Sequence, residues 1–180
     1  MEYLNSSERL KLLTVAMATN PTLHLMLKLS FAHGLRVTEL LSLTGADVSD
    51  GKLSIVALKN GISCRQPILI HSNPLIDCSP VIALSAKVGQ NPMFPMNRVT
   101  VWRQMQTAGK LAGLDPKKCH PHACRHSTAM FVFETTQSLG QVSSILRHRS
   151  PASSMTYLRE LDASKAIAAR DTALAMMVGA

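Results

Sequence analysis

The chain has 180 residues, and 19 Lys and Arg side chains against 11 Asp and Glu side chains give a net charge of +8 at neutral pH. With 46% hydrophobic and 17% charged residues, the composition fits one folded domain and excludes a disordered polyelectrolyte. We find neither a membrane-span-length apolar stretch nor a secretory signal, so we expect no membrane partner and a cytosolic location.

The first third of the chain predicts three helices. Apolar residues recur at helical spacing over residues 6–20. Residues 23–33 are apolar nearly all round, which indicates a buried helix that ends at His33-Gly34. Thr38 is predicted to cap a short third helix that ends near Gly45.

A β-hairpin is predicted between residues 51 and 70. Apolar and polar residues alternate there, and Asn60-Gly61 is a hairpin turn signal. Lys59 would therefore lie at the hairpin tip. Residues 71–97 hold several prolines and predict loops around one short helix.

The remainder of the chain is predicted to be helical. Asn97 would cap a helix with a basic polar face, and further helices are predicted at 121–134, 141–146, 154–159 and 163–177. The sequence has no repeat and no flexible linker. We therefore predict that residues 1–180 form one mostly α (α+β) domain, with the hairpin inserted near the first third.

Positive charge is concentrated in one segment. Residues 98–149 hold 8 basic and 2 acidic side chains (8 − 2 = +6), against 8 and 6 (+2) in residues 1–97 and 3 and 3 in residues 150–180. Four of the seven histidines lie in the same segment. This pattern predicts a polyanion partner, and a solvated basic helix face is the alternative.

Five groups of reactive residues follow one another at defined spacings. They are Arg36, Lys59, the run His122-Ala123-Cys124-Arg125, His148 and Tyr157. Counted inclusively, 24 residues run from Arg125 to His148 and 10 from His148 to Tyr157. In this order and spacing the chain resembles the catalytic domain of the tyrosine recombinases, the phage integrase family. It is similar in look to the small fimbrial phase-switch recombinases, which also have Lys-Asn-Gly in the hairpin and His-Pro-His before the second arginine.

This resemblance implies a site-specific DNA recombinase that needs neither metal nor ATP. Tyr157 would attack a DNA phosphodiester and form a 3′-phosphotyrosyl link. Arg36 and Arg125 would hold the phosphate, because two guanidiniums can neutralise the negative charge of a pentacoordinate transition state.

The resemblance also implies proton-transfer and positioning roles. Lys59 would protonate the departing 5′-oxygen. His122 would accept or share the proton of the nucleophile. His148 would hydrogen-bond the phosphate and help to position the tyrosine.

Double-stranded DNA is the implied partner. We expect six further basic residues of the 98–149 segment to contact its backbone: Arg103, Lys110, Lys117, Lys118, Arg147 and Arg149. The resemblance further implies a homotetramer on two DNA sites, with a monomer possible without DNA, and a C-terminal helix at 163–180 exchanged between protomers.

Two other functions fit part of the pattern. A zinc-binding protein would use the cluster of cysteines and histidines between Cys119 and His126, although this cluster lacks the H-E-x-x-H pattern and a distant second pair. A non-catalytic DNA-binding regulator would explain the charge but not the presence of Lys59 and Tyr157.

The chain departs from the family pattern in two ways. Arg147 stands where the family commonly has the glycine of Leu-Gly-His, and we expect it either to add a phosphate contact or to displace His148. The N-terminal core-binding domain of larger integrases is missing from the sequence, so we expect either a minimal recombinase or an excised catalytic fragment.

Overall fold

The computed structural model describes residues 2–57, residues 62–149 and Met155. Lys59 and Tyr157 lie outside the described residues. So do the helix predicted at 163–177 and, apart from Met155, the one predicted at 154–159.

The described part of the chain forms seven α-helices and one small antiparallel sheet. The helices are α1 (Ser6–Thr19), α2 (Pro21–His33), α3 (Val37–Ser42), α4 (Pro80–Val88), α5 (Arg98–Leu111), α6 (Pro121–Thr136) and α7 (Leu139–Leu146). The strands are β1 (Val48–Ser49), β2 (Lys52–Ile55) and β3 (Cys64–Pro67), in the order β1-β2-β3. The predicted mostly α fold with an inserted hairpin is confirmed.

The sheet has one strand more than the predicted hairpin. Strand β1 pairs with β2 through Val48 opposite Leu53 and Ser49 opposite Lys52. A two-residue strand is too short to produce an alternating pattern, so the sequence gives no periodic signal for it.

Side-chain caps set the helix starts. Asn5 and Glu8 form a reciprocal capping box at α1, and the predicted cap of α5 by Asn97 is confirmed. The predicted cap of α3 by Thr38 is wrong. That helix begins at Val37, because the Glu39 carboxylate accepts a hydrogen bond from the backbone N–H of Arg36 at 2.9 Å.

Most of the core lies between α1, α2, α5 and the sheet, and a smaller cluster joins α6 to α7 through Met130, Phe133, Val142 and Leu146. The two clusters meet at the end of α2. Gly34 has a left-handed backbone there (φ +57°), and a Cβ on it would lie 2.9 Å from Leu146 Cδ2. This close approach brings the turn before Arg36 against the C-terminal end of α7.

None of the helices that the structure describes is both long and apolar enough to cross a membrane.

Candidate active site

The centre of the candidate site is the buried carboxylate of Glu39. Its Oε1 accepts a hydrogen bond from Arg36 Nη1 at 2.8 Å, and its Oε2 accepts one from Arg147 Nη2 at 2.7 Å. Burial raises the pKa of this carboxyl, but hydrogen bonds from Arg36 and the charge of Arg147 outweigh burial and hold it below the ordinary value. Glu39 is therefore an ionised anchor for arginines at neutral pH.

Arg125 is the second buried cation of the site. It lies in α6 with its side chain 2% exposed, and its Nη1 is 4.0 Å from Glu39 Oε2. Nη1 donates to the carbonyl oxygen of Gly34 at 2.6 Å, and Nη2 donates to that of Leu146 at 2.5 Å. Because a buried guanidinium is costly unless its donors are satisfied, these bonds fix its position between α2, α6 and α7.

Arg36 differs from its two neighbours in its access to solvent. Its side chain is 31% exposed, against 2% for Arg125 and 1% for Arg147. It precedes α3 and is anchored to Glu39 through both its backbone and its guanidinium. This arrangement can present a cation to an anion arriving from solution.

His122 and His148 lie within electrostatic reach of the same arginines. Burial, then the charges of Arg125, Arg36 and Arg147, lower the pKa of His148 to about 4. The pKa of His122 is lowered by burial and by the charges of Arg125, His120 and Arg36. The structure thus brings together Arg36, His122, Arg125 and His148, and both of these histidines favour the neutral form at neutral pH.

The histidine at the start of α6 and the two histidines within α6 make different contacts. His120 is the N-cap of α6, and its Nδ1 accepts a hydrogen bond from the backbone N–H of Ala123 at 3.2 Å. The rings of His122 and His126 meet edge to face with centroids 4.1 Å apart. The pKa of His126 is lowered to about 4 by burial and by neighbouring positive charges.

The zinc alternative has no geometric support in the described residues. No three His, Cys, Asp or Glu side chains among them are placed to hold a metal ion. Both cysteines of the cluster, Cys119 and Cys124, are buried, and burial raises the pKa of the Cys124 thiol to about 12. Thiolates, which bind zinc, are therefore disfavoured there.

Arg147, which the sequence predicts to contact the DNA backbone, has a side chain that is only 1% exposed. Four hydrogen bonds hold its guanidinium inside the domain: Nη1 donates to the carbonyl oxygens of His33 and Ile145, and Nη2 to the carbonyl oxygen of Gly34 and to Glu39. Its backbone is left-handed (φ +57°), a conformation that favours glycine. A side chain in this conformation costs about 1–2 kcal/mol.

The segment that leads into β3 contacts the site. The backbone N–H of Ile62 donates to the carbonyl oxygen of Arg147 at 3.2 Å. Lys59 itself lies outside the described residues, as does Tyr157. Their roles stay predictions.

The predicted DNA-contact residues differ in exposure. Arg103, Lys110, Lys117 and Arg149 are exposed. Lys118 forms an ion pair with Glu8 at 2.7 Å, and its side chain is 32% exposed. It therefore ties the loop before α6 to α1.

Three residues of the site region have no place in the sequence prediction. Glu39 could have been found from the Arg-x-x-Glu spacing at the start of α3, which places a carboxylate beside the arginine. Arg98 and Trp102 are exposed on α5 and line a groove of about 380 Å³ together with His122. Nothing in the sequence alone brings α5 beside His122.

Solved structures share this fold. A lambda integrase dimer bound to a COC′ core site has a TM-score of 0.70 and 22% identity, covering 87% of this chain and 47% of its own. XerA recombinase has a TM-score of 0.69 and 23% identity, covering 92% of this chain and 65% of its own. The fold is that of a tyrosine recombinase catalytic domain.

The sequence comparisons give the same class. The tyrosine recombinase XerD of Xanthomonas axonopodis pv. citri is 29% identical over 149 residues, and that of Vibrio cholerae is 30% identical over 147 residues. Each match covers 73% of this chain, and the chain spans about half the length of these relatives (48% and 47%). The model of the phage integrase family matches residues 2–164, and the chain belongs to this family.

Proposed function

We propose that this chain is the catalytic part of a site-specific DNA recombinase that cuts and rejoins DNA through a 3′-phosphotyrosyl intermediate, without metal or ATP. The observation that carries the proposal is the placement of Arg36 and Arg125 on one buried carboxylate, Glu39, with His122 and His148 in electrostatic reach. Family membership supports the same reaction.

The arginines would act on the phosphate as a preorganised pair. Arg125 is held by carbonyl oxygens at 2.5 and 2.6 Å, so it needs no reorganisation when charge develops on the non-bridging oxygens. Arg36 is partly exposed and would meet the phosphate from the solvent side. Three arginines face one carboxylate here, and a bound phosphate would offset the remaining positive charge.

The histidines would act in their neutral forms. A neutral His122 can accept the proton of the attacking tyrosine, and a neutral His148 can donate one hydrogen bond to a phosphate oxygen. Arrival of the phosphate would raise the pKa of both rings, because it offsets the arginine charges that lower them. A proton accepted from the nucleophile would then be held more firmly.

The remaining roles rest on the family resemblance. Tyr157 is proposed as the nucleophile and Lys59 as the acid that protonates the 5′-oxygen. The contact of Ile62 with the Arg147 carbonyl supports a hairpin tip close to the site. Exposed Arg103, Lys110, Lys117 and Arg149 are proposed to contact the DNA backbone.

We further propose an assembly on double-stranded DNA. One solved lambda integrase with a TM-score of 0.69 is a tetramer bound to a Holliday junction. We propose a homotetramer on two DNA sites, and the family resemblance implies that residues 163–180 are exchanged between protomers. Since bacterial DNA lies in the cytoplasm, the proposal places the protein there.

The test is the capture of a covalent protein–DNA adduct. A DNA site is first selected from a randomised duplex pool with Tyr157→Phe protein, and a nicked suicide duplex of that site is then incubated with the unmodified chain. We expect an adduct that survives SDS and forms in EDTA, and none with Tyr157→Phe.

Other outcomes would contradict the proposal in distinct ways. An adduct with Tyr157→Phe would overturn the choice of nucleophile. Loss of the adduct in EDTA with recovery on adding Zn²⁺ would favour the metal alternative. Selective DNA binding with no adduct would leave a non-catalytic regulator.

A further inference from the structure

We propose that Arg147 is a positioning residue of this site: through Glu39 it sets the direction in which Arg36 presents its guanidinium to the phosphate. The inference rests on the function proposed above and assigns to that function a residue that does not touch the DNA. Arg147 is itself buried, so it acts through its neighbours.

The hydrogen bonds of Arg147 join two parts of the chain that carry site residues. Its Nη1 donates to the His33 carbonyl oxygen at 2.7 Å, and its Nη2 donates to the Gly34 carbonyl oxygen at 3.1 Å. These two carbonyls belong to the turn that leads into Arg36. Arg147 also directly precedes His148 in the chain. One guanidinium therefore links the turn before Arg36 to the residue that directly precedes His148.

The carboxylate of Glu39 transmits this restraint to Arg36. Oε2 accepts from Arg147 Nη2 at 2.7 Å and from the Arg36 backbone N–H at 2.9 Å. With Oε2 held from two sides, Oε1 is turned toward the guanidinium of Arg36, which it meets at 2.8 Å. Without Arg147, the carboxylate would lose a charged partner and one of the restraints on its orientation.

The backbone at Arg147 supports a specific role for its side chain. This residue is left-handed at φ +57°, a conformation in which glycine is favoured. An arginine in this position is disfavoured twice, by its backbone and by the burial of its charge. Its four hydrogen bonds to Glu39 and to three carbonyls offset part of these costs, although its buried Nε has no hydrogen-bond partner among the residues that the structure describes. A cation on the surface would need no such set of partners.

The experiment separates positioning from mere stabilisation. The variants are Arg147→Ala, Arg147→Lys, Glu39→Gln and the double variant Arg147→Ala/Glu39→Gln, with the exposed Lys87→Ala as the charge-loss control. For each, single-turnover adduct formation is measured at saturating suicide DNA, DNA affinity is measured separately, and folding is checked by thermal denaturation.

We expect Arg147→Ala to slow adduct formation about 10- to 100-fold, because a displacement of about 1 Å at a reactive centre can cost up to about 100-fold in rate. DNA affinity should change less than about threefold, because the side chain is buried. Arg147→Lys should recover part of the rate, since an ammonium can keep the Glu39 bond but not the whole fork. The double variant should be no slower than Glu39→Gln alone. Each substitution breaks the same link between Arg147 and Arg36, so the second one has nothing further to remove. Lys87→Ala should react at the unmodified rate.

Three results would overturn the inference. The first is that Arg147→Ala forms the adduct as fast as the unmodified chain does. Where that variant does not fold, the same result in Arg147→Lys counts. The second is a double variant whose losses multiply. The third is a loss of DNA affinity in Arg147→Ala with a shallower salt dependence, which would indicate a direct phosphate contact.

A DNA-free measurement keeps this inference separate from the proposed function. If the unmodified chain binds its selected site but gives no adduct, the recombinase proposal fails. The positioning is then tested by ¹³C NMR of the Glu39 carboxyl, assigned with Glu39→Gln. We expect its pKa to lie below the ordinary value and to rise in Arg147→Ala, which removes a charged partner of Glu39. An unchanged titration would overturn the link between Arg147 and Glu39.

Discussion

Arg125 donates a hydrogen bond to the carbonyl oxygen of Gly34, 91 residues earlier in the chain, at 2.6 Å. The same oxygen accepts from Arg147 at 3.1 Å. The turn before Arg36 is thereby held by two cations from the other half of the domain. The geometry of the site therefore depends on this backbone turn as well as on the arginine side chains.

Gly34→Ala should lower the free energy of unfolding by about 1–3 kcal/mol, because alanine is strained in a left-handed backbone. Its Cβ would also lie 2.9 Å from Leu146 Cδ2, so the end of α7 must shift. Urea denaturation measures the decrease. Gly51→Ala is the matched control: it has a similar φ of +66° but no atom within 4 Å of its Cβ. Equal decreases in the two variants would contradict a packing role for Gly34.

Glu39→Gln should slow adduct formation at least about tenfold, because it removes the charge that pairs with Arg36 and Arg147. The substitution keeps the size of the side chain. Single-turnover rates are compared at pH 7, and a lower rate is attributed to the missing charge. Glu134→Gln, on the exposed face of α6, is the control and should leave the rate unchanged. A full rate in Glu39→Gln would show that ionisation of Glu39 is unnecessary.

Local patterns in the sequence were sufficient for most of the described helices but not for the site. Caps such as Asn97 and the apolar spacing of α2 act within one or two turns, so sequence reveals them directly. The burial of Arg147 depends on carbonyls of His33 and Gly34, which are more than 110 residues away. A count of charged residues does not distinguish exposed cations from buried ones. Only the tertiary contacts show that Arg147 is buried.

The basic segment illustrates the same limit. Of its eight cations, Arg125 and Arg147 are buried and Lys118 is paired with Glu8. The charge map therefore overstates the charge that this segment can offer to DNA.

The salt dependence of DNA binding should separate these cations. Replacing exposed Lys110 or Lys117 by alanine should reduce the slope of log affinity against log salt by about 0.9 for each phosphate that is no longer neutralised. Lys118→Ala should change the slope less, because the Glu8 ion pair already engages its ammonium. Filter binding between about 50 and 200 mM salt gives these slopes. Equal slopes for Lys117→Ala and Lys118→Ala would contradict this difference.

The thiols should differ in reactivity. Burial raises the pKa of Cys78 and of Cys124 to about 12 and also raises that of Cys119, whereas Cys64 is half-buried in β3. A maleimide at pH 7 should therefore label one cysteine of the native chain rapidly and all four in denaturant. Mass spectrometry counts the labels, and Cys64→Ser should abolish the rapid one. Rapid labelling of Cys124 in native protein would contradict its burial.

Stability should fall as the pH falls from about 6.5 to about 4. His126 and His148 have a folded pKa of about 4 against an ordinary value of 6.5, so in this interval the unfolded chain binds more protons than the folded one. Their contribution is fully present above pH 6.5 and is lost as the pH falls through the folded pKa. Urea midpoints measured every half unit of pH should show this decline.

His148→Asn should make the decline shallower, because one of the two histidines no longer takes up a proton on unfolding.

Binding of DNA should raise the pKa of His148, whereas folding lowers it. A phosphate beside Arg36 and Arg125 offsets the charges that lower the pKa of His148, so complex formation near pH 5.5 should take up protons. Calorimetry in two buffers of different ionisation enthalpy measures that uptake. If the uptake persisted unchanged in His148→Asn, the proton would have to bind elsewhere in the complex.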